Sequence, residues 1–267
     1  MKKALFYLVI AIMLFGFLFP IFWVYVTSFK APEDIFKPEK LIFKPTLYNY
    51  NYITNIRPSF GELANSAIVS FASTFLVMLV SMPAAYSFAR FNTGKGHLLF
   101  TTISTRMFPG VVAALPFFFA FRNLGLLDTH LGLVLLYLYF NMSFATFLLF
   151  GFFREIPQEV EHAAMVDGYS RIEILRKIIF PLIKPGAAIT TAFCLIWSWN
   201  EFFFAFLFTR RIARTVSVGL ATFWGSVEIQ WGPMCALMGI AILPTLAAAW
   251  FMQRYIIRGL TFGAVKG

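Results

Sequence analysis

Few residues in this chain have the types and spacing that covalent chemistry needs. His97, His130 and His162 lie far apart without H-E-x-x-H spacing, and Cys194 and Cys235 fall in apolar runs without a C-x-x-C pair. The histidines read as loop or surface residues and the cysteines as small buried hydrophobes, so neither a metal site nor a disulfide is expected. G-x-S-x-G, spaced aspartate pairs and the phosphate-cradling G-x-x-x-x-G-K-[ST] are all absent. This argues against a membrane hydrolase or transferase and leaves any nucleotide chemistry to another chain. Two features remain. One is the charged segment from Arg154 to Lys184, whose mixed signs suit docking. The other is the pair Asn200 and Glu201 inside an apolar run. A central acidic side chain there costs about 2.5–3.5 kcal/mol on insertion scales, so Glu201 should face the bundle interior or water.

The elements that position these residues must be membrane helices. Hydrophobic residues make up 60% of the chain, charged residues 13%, and the mean hydropathy is +0.76. That is too little polar surface to coat a soluble globule of 267 residues. The net charge of +10 is spread over loops flanking apolar runs, so anionic lipid is the expected partner and nucleic acid is not. A crossing helix needs ~20 mostly apolar residues. Six segments qualify, at about 4–28, 62–90, 99–121, 131–153, 183–208 and 233–254. They are read as one transmembrane domain over 1–267. The first is an uncleaved span, because its apolar run from Ala4 to Phe29 exceeds the ~7–15 residues of a signal peptide and no A-x-A-like site follows. Both termini then share a side. Twelve Lys and Arg lie on that side against nine opposite, which leans toward cytoplasmic termini. Pro83, Pro109, Pro116 and Pro244 interrupt spans; they mark bends in a moving or path-lining protein, or reflect only the frequency of proline in membrane helices.

Local signals in the charged segment are consistent with one another. Pro157 suits a first helical position, Glu159 and Glu161 suit the dipole of the early turns, and Gly168 is a natural stop. Ser170 with Glu173 forms an S-x-x-E capping box that opens a second helix. Its apolar face is Ile172, Leu175, Ile178 and Ile179, and Pro181 is expected to end it. The result is a helix–Gly–helix elbow over 154–182 with a small flat Ala163/Ala164 patch. Two readings stand on spacing alone, an amphipathic hairpin on lipid headgroups and a docking surface for another protein. Glu201 falls about 24 Å along a helix from Pro185, toward the far half of the bilayer. It serves an outer gate or a contact with a protein on that side, or else an interhelical or capping role. For Arg106, near the inner end of the third span, snorkelling to the headgroups is favoured over gating.

The segment "PQEVEHAAMVDGYSRIEILRKIIFP", residues 157–181, resembles the EAA loop of ABC importer permeases: E-A-A, three residues, Gly, nine residues, Ile, any residue, Leu, Pro. Ala163, Ala164, Gly168, Ile178 and Pro181 match in register; His162 replaces the Glu, with Glu161 one residue earlier, and Phe180 replaces the Leu. "TSFK" at 27–30, "AAYSFARF" at 84–91, "WNEFFFAFLFT" at 199–209 and the tail "QRYIIRGLTFGAVKG" at 253–267 are similar to the second, maltose-type permease subunit of carbohydrate importers.

The resemblance implies a type I importer permease fold in a bacterial or archaeal inner membrane, with elbow and termini cytoplasmic. The coupling residues would be Glu161, His162, Ala163, Ala164, Asp167, Gly168, Ile178 and Pro181, docking on a separate ATPase. The tail, 255–267, would reach the ATPase pair. Partners would be a second homologous permease, two ATPase copies that hold ATP and Mg, and an extracytoplasmic solute-binding protein. No cofactor would belong to this chain, which would be a transport subunit working by alternating access and not an enzyme. The cargo would be a di- or oligosaccharide or related polyol, with glycerol phosphate as the alternative; a stand-alone channel has no use for the elbow. Asn200 and Glu201 are the path candidates. Phe117–Phe119 and Phe202–Phe204 could stack on sugar rings, although helical Phe is more often packing.

Overall fold

A computed structural model describes residues 2–225 and 229–263, with side chains excluded at Lys2, Arg254 and 256–263. The last four residues of the expected tail lie outside it. The main helices are α1 (Lys2–Ser28), α2 (Phe60–Phe91), α3 (His97–Met107), α4 (Gly110–Asn123), α5 (His130–Glu155), α6 (Gln158–Val166), α7 (Phe180–Asn200), α8 (Phe203–Phe208), α9 (Val216–Ala221) and α10 (Trp231–Gly263). Among the described residues there is no strand, only the bridge between Trp224 and Ile229. The all-α membrane architecture follows from the solvent, because hydrocarbon offers no partner for a free backbone amide and a helix satisfies its own. Five described helices are long and apolar enough to cross a bilayer, or six if α3 and α4 together make one span.

Three of the expected spans differ in form. The third is not one helix: α3 and α4 meet at 94°. Phe108 is extended (ψ 126°), as a residue before proline prefers, and Pro109 follows at ψ 124°. By contrast α2, α4 and α10 run through Pro83, Pro116 and Pro244. The fifth span, expected over 183–208, stops at Asn200; Glu201 is extended (ψ 124°) and α8 begins at Phe203. The sixth continues to Gly263, so the expected tail starts as helix.

The chain divides into two compact units, Met1–Ala64 with Thr215–Pro244, and Asn65–Arg214 with Thr245–Gly267. In the first, the "TSFK" residues pin the end of α1. Asn49, fully buried, donates to the carbonyls of Ser28 (2.9 Å) and Lys30 (2.8 Å). Lys30 donates to the Lys37 carbonyl at 3.0 Å and lies over the rings of Trp23 and Phe43, so its charge is spent inside the fold. Arg57 pairs with Glu62 at 3.1 Å and stacks on Phe223. A Cβ at Gly219 would collide with the Glu62 carboxylate, which explains the glycine in α9.

In the second unit, α5 packs on α7 through Tyr137, Ala145 and Cys194, all with no exposure. The turn before α5 is fixed by Asp128 (φ 56°), whose carboxylate accepts backbone N–H groups from Arg210, Arg211, Ile212 and Ala213 at 2.9–3.2 Å. Burial pushes that carboxyl up, but the four amides outweigh it and hold it below the usual carboxylate value. His130 shares a 2.7 Å hydrogen bond with Asn65, a structural place for the residue read as a loop histidine.

Candidate functional site

The elbow forms as two short helices around Gly168. Pro157 stands one residue outside α6 rather than at its first helical position, within the usual uncertainty of helix ends. At the other end Tyr169 N–H donates to the Ala164 carbonyl (3.1 Å) and Gly168 N–H to that of Met165 (3.1 Å). This is a Schellman closure, with Gly168 in the left-handed region at φ 86°. Next, Ser170 Oγ accepts from Glu173 N–H (3.4 Å) while Glu173 Oε2 accepts from Ser170 N–H (3.1 Å), the expected capping box.

The second helix departs from expectation. After Arg171–Glu173 it widens into a π-turn over Ile174–Ile179 and passes into α7, with Pro181 in the first turn of that helix. Pro181 therefore does not end the helix. The wide turn also shifts the buried face: Ile174 and Ile179, one i→i+5 turn apart, are buried, whereas Ile172 is 70% exposed. Leu175 and Ile178 pack partly buried against them.

A second correction concerns the alanines. Ala163 is exposed, but Ala164 is buried with Tyr86, Leu149, Phe153, Ile174, Ile179 and Ile183, so the two do not form one flat patch. Consecutive residues on a helix point about 100° apart, and here the boundary of the core runs between them.

Glu161 is turned into the same core. Its carboxylate pairs with Arg90 Nε and accepts from Tyr86 O–H at 2.9 Å; Arg90 also donates to the Ile156 carbonyl at 2.8 Å. Glu161 and Arg90 are buried side chains, and both Arg90 and Tyr86 come from the "AAYSFARF" stretch of α2. Glu161 therefore does not take over the exposed position of the family's glutamate, which His162 occupies. The outward face of the elbow is His162, Ala163, Met165, Val166, Asp167, Tyr169 and Ile172, apolar at its centre and charged at its rim. A small pocket between the elbow and Arg90 is lined by Phe91, Gln158, His162 and Arg171.

Elbow and α2 are thus clamped by a buried ion pair and a shared core. A hairpin floating on headgroups needs neither.

The other expected site residues behave differently. Asn200 is exposed and donates to the Ile196 carbonyl. Glu201 is buried, with Tyr137 O–H at 2.9 Å and the N–H groups of Phe204 (2.9 Å) and Ala205 (3.0 Å) on its oxygens. Of the two roles left open for it, capping describes this geometry. Phe204 stacks on Phe140 (centroids 4.4 Å apart) and Phe117 packs edge-on to Phe121 and Tyr139, the packing role expected of the Phe clusters. Arg106 is a correction: it bonds the Phe140 carbonyl in the middle of α5, so it does not snorkel. Sequence reasoning gave Tyr86 and Arg90 no role of their own; the signals were the family-like stretch that contains both and an arginine closing an apolar span.

Residues 78–261 match the family described as "Binding-protein-dependent transport system inner membrane component". The chain is 34% identical over 266 residues to the probable ABC transporter permease protein y4oR of Sinorhizobium fredii, covering 99% of this chain and 96% of that one. It is 36% identical over 258 residues to the trehalose/maltose transport system permease protein MalG of Thermococcus litoralis, covering 94% and 92%. Its fold matches a chain of a bacterial ABC transporter involved in the import of the acidic polysaccharide alginate, with TM-score 0.81, 21% identity and coverage of 95% and 96%. The chain belongs to the inner-membrane permease family of binding-protein-dependent ABC transport systems.

Proposed function

We propose that this permease carries a carbohydrate, and that its elbow couples the membrane helices to a separate ATPase. The chain forms half of the path beside a second homologous permease. Two copies of the ATPase, holding ATP and Mg, close on the cytoplasmic side, and a solute-binding protein delivers cargo on the other. Both termini and the elbow are cytoplasmic. ATP binds the closed ATPase pair better than the open one, and the elbow passes that difference to α2, α5 and α7 as a shift in population between inward- and outward-open states. Asn200, exposed at the end of α7, remains the path candidate.

The observation that carries the reading is the two-sidedness of the elbow. Glu161 and Ala164 lock it to the membrane helices, while Val166 (88% exposed) and Ile172 (70%) project from it unpacked. A rigid lever with an apolar outer face suits a groove on a partner protein. Carbohydrate cargo is supported by the relative named for trehalose and maltose. The test is Val166→Asp, with Ala163→Trp as a steric counterpart, in the reconstituted importer. Both should abolish ATP-driven sugar uptake and weaken ATPase co-purification while the chain stays in the membrane. Unchanged uptake in both would sink the coupling reading. A binding protein stabilised only by amino acids or metal ions would sink the carbohydrate one.

A further inference from the structure

Arg106 stands beside the break between α3 and α4, one residue from the end of α3. Its Nη1 donates to the Phe140 carbonyl at 2.9 Å, and its guanidinium lies 5.4 Å from the ring centres of both Phe144 and Trp197. Phe140 and Phe144 flank the midpoint of the 26-residue α5. At 1.5 Å per residue this places the guanidinium roughly 15–20 Å from either end of a helix about 39 Å long, inside a hydrocarbon layer of ~30 Å. Headgroups are out of reach from there.

No ion pair among the described residues includes Arg106. A charge at that depth normally faces a partner or a wet cavity. The carbonyl takes one of five guanidinium N–H donors, which leaves most of the fork free for an oxyanion. The side chain is also exposed, and the Trp197 ring beside it is only partly buried. An arginine fork next to an indole face at mid-depth is complementary to a sugar that carries an acid: the fork binds a carboxylate or sulfonate, and the indole face binds the apolar face of the ring.

We propose that Arg106 contacts the cargo and that the carbohydrate this importer carries is acidic, a uronate or sulfonated sugar. The inference rests on the importer reading above. A neutral sugar leaves the guanidinium uncompensated, so selection for the acid is built into the path.

The test pairs each neutral sugar with its acidic counterpart, cellobiose with cellobiouronate and glucosyl glycerol with sulfoquinovosyl glycerol. Thermal shift on the binding protein should find stabilisation by acidic members only; stabilisation by neutral members only overturns the proposal and leaves the importer reading intact. The best acidic probe is then followed into proteoliposomes holding the whole importer. Arg106→Gln should raise its KM at least tenfold, and Arg106→Lys should retain a preference for the acid. Arg106→Gln uptake at the wild-type KM overturns the proposal. So does an Arg106→Gln chain that fails to assemble while Arg106→Lys assembles and carries both members alike, because Arg106 then pairs with an acid of the second permease. ATP-driven uptake of no sugar at all by the wild type removes the importer reading and the proposal with it.

Discussion

Glu161 and Arg90 show how a single pair of side chains can decide what an element does. A buried pair gains little net stability over an apolar substitute, but removing one partner strands the other's charge. Arg90→Met should therefore destabilise the chain by about 3–5 kcal/mol, whereas Arg90→Met with Glu161→Gln should recover most of that loss. A double-mutant cycle on thermal unfolding of the purified importer measures the difference. The recovery will be incomplete, since the Ile156 carbonyl also loses the donor it has in Arg90. Asp128 makes a different prediction, about pH. Its native carboxyl is held below the ordinary value by four backbone amides, against burial. A depressed native pKa contributes stability that is complete above the unfolded value of about 3.9 and is lost as pH falls through the native one. Unfolding temperature should thus drop on acidification below the ordinary carboxylate range. Asp128→Asn should start lower at neutral pH and flatten that acid dependence, because an amide cannot accept on both sides of the nest. An unchanged acid slope in the variant would assign the dependence to other groups.

The elbow is where element-scale rules succeed and where they stop. Gly168 at φ 86° has nothing within 4 Å of an added Cβ, so a substitution there meets backbone strain alone. Gly168→Val should cost roughly 1–2 kcal/mol and lower the sugar carried per ATP hydrolysed, while Gly168→Asn, which tolerates the left-handed region, should keep most of the coupling. The stop at Gly168, the capping box at Ser170 and Glu173, and the existence of the spans were legible because each depends on neighbours in sequence. The π-turn was not, because a wide turn is chosen by what Ile174 and Ile179 pack against. The same limit applies to Ala163 and Ala164, split by the edge of a core built from α2, α5 and α7, and to Glu201, whose cap on α8 needs Tyr137 from another helix. Register with the importer family located the residues of the elbow. Which of them faces inward is a tertiary fact that spacing alone does not carry.

For the molecule as a whole, the question is how often the chain crosses the bilayer, and the bent pair α3–α4 decides it. With axes 94° apart, helices of 11 and 14 residues span about 26 Å end to end at 1.5 Å per residue, close to the ~30 Å of hydrocarbon. If the pair crosses, six crossings put both termini and the elbow on one side. Were it re-entrant, three loops would exchange sides and the excess of Lys and Arg would no longer lie with the N-terminus. Two exposed positions separate these cases. Ile42 (94% exposed) lies between α1 and α2, and Val166 (88%) lies in the elbow. Three crossings separate them if the pair spans, and two if it does not. Both native cysteines are buried, so single cysteines placed at these positions report against a quiet background. A membrane-impermeant maleimide should label Ile42→Cys in intact spheroplasts and Val166→Cys only after permeabilisation. Labelling of both before permeabilisation would make α3–α4 re-entrant and would put the elbow on the wrong side of the membrane for an ATPase.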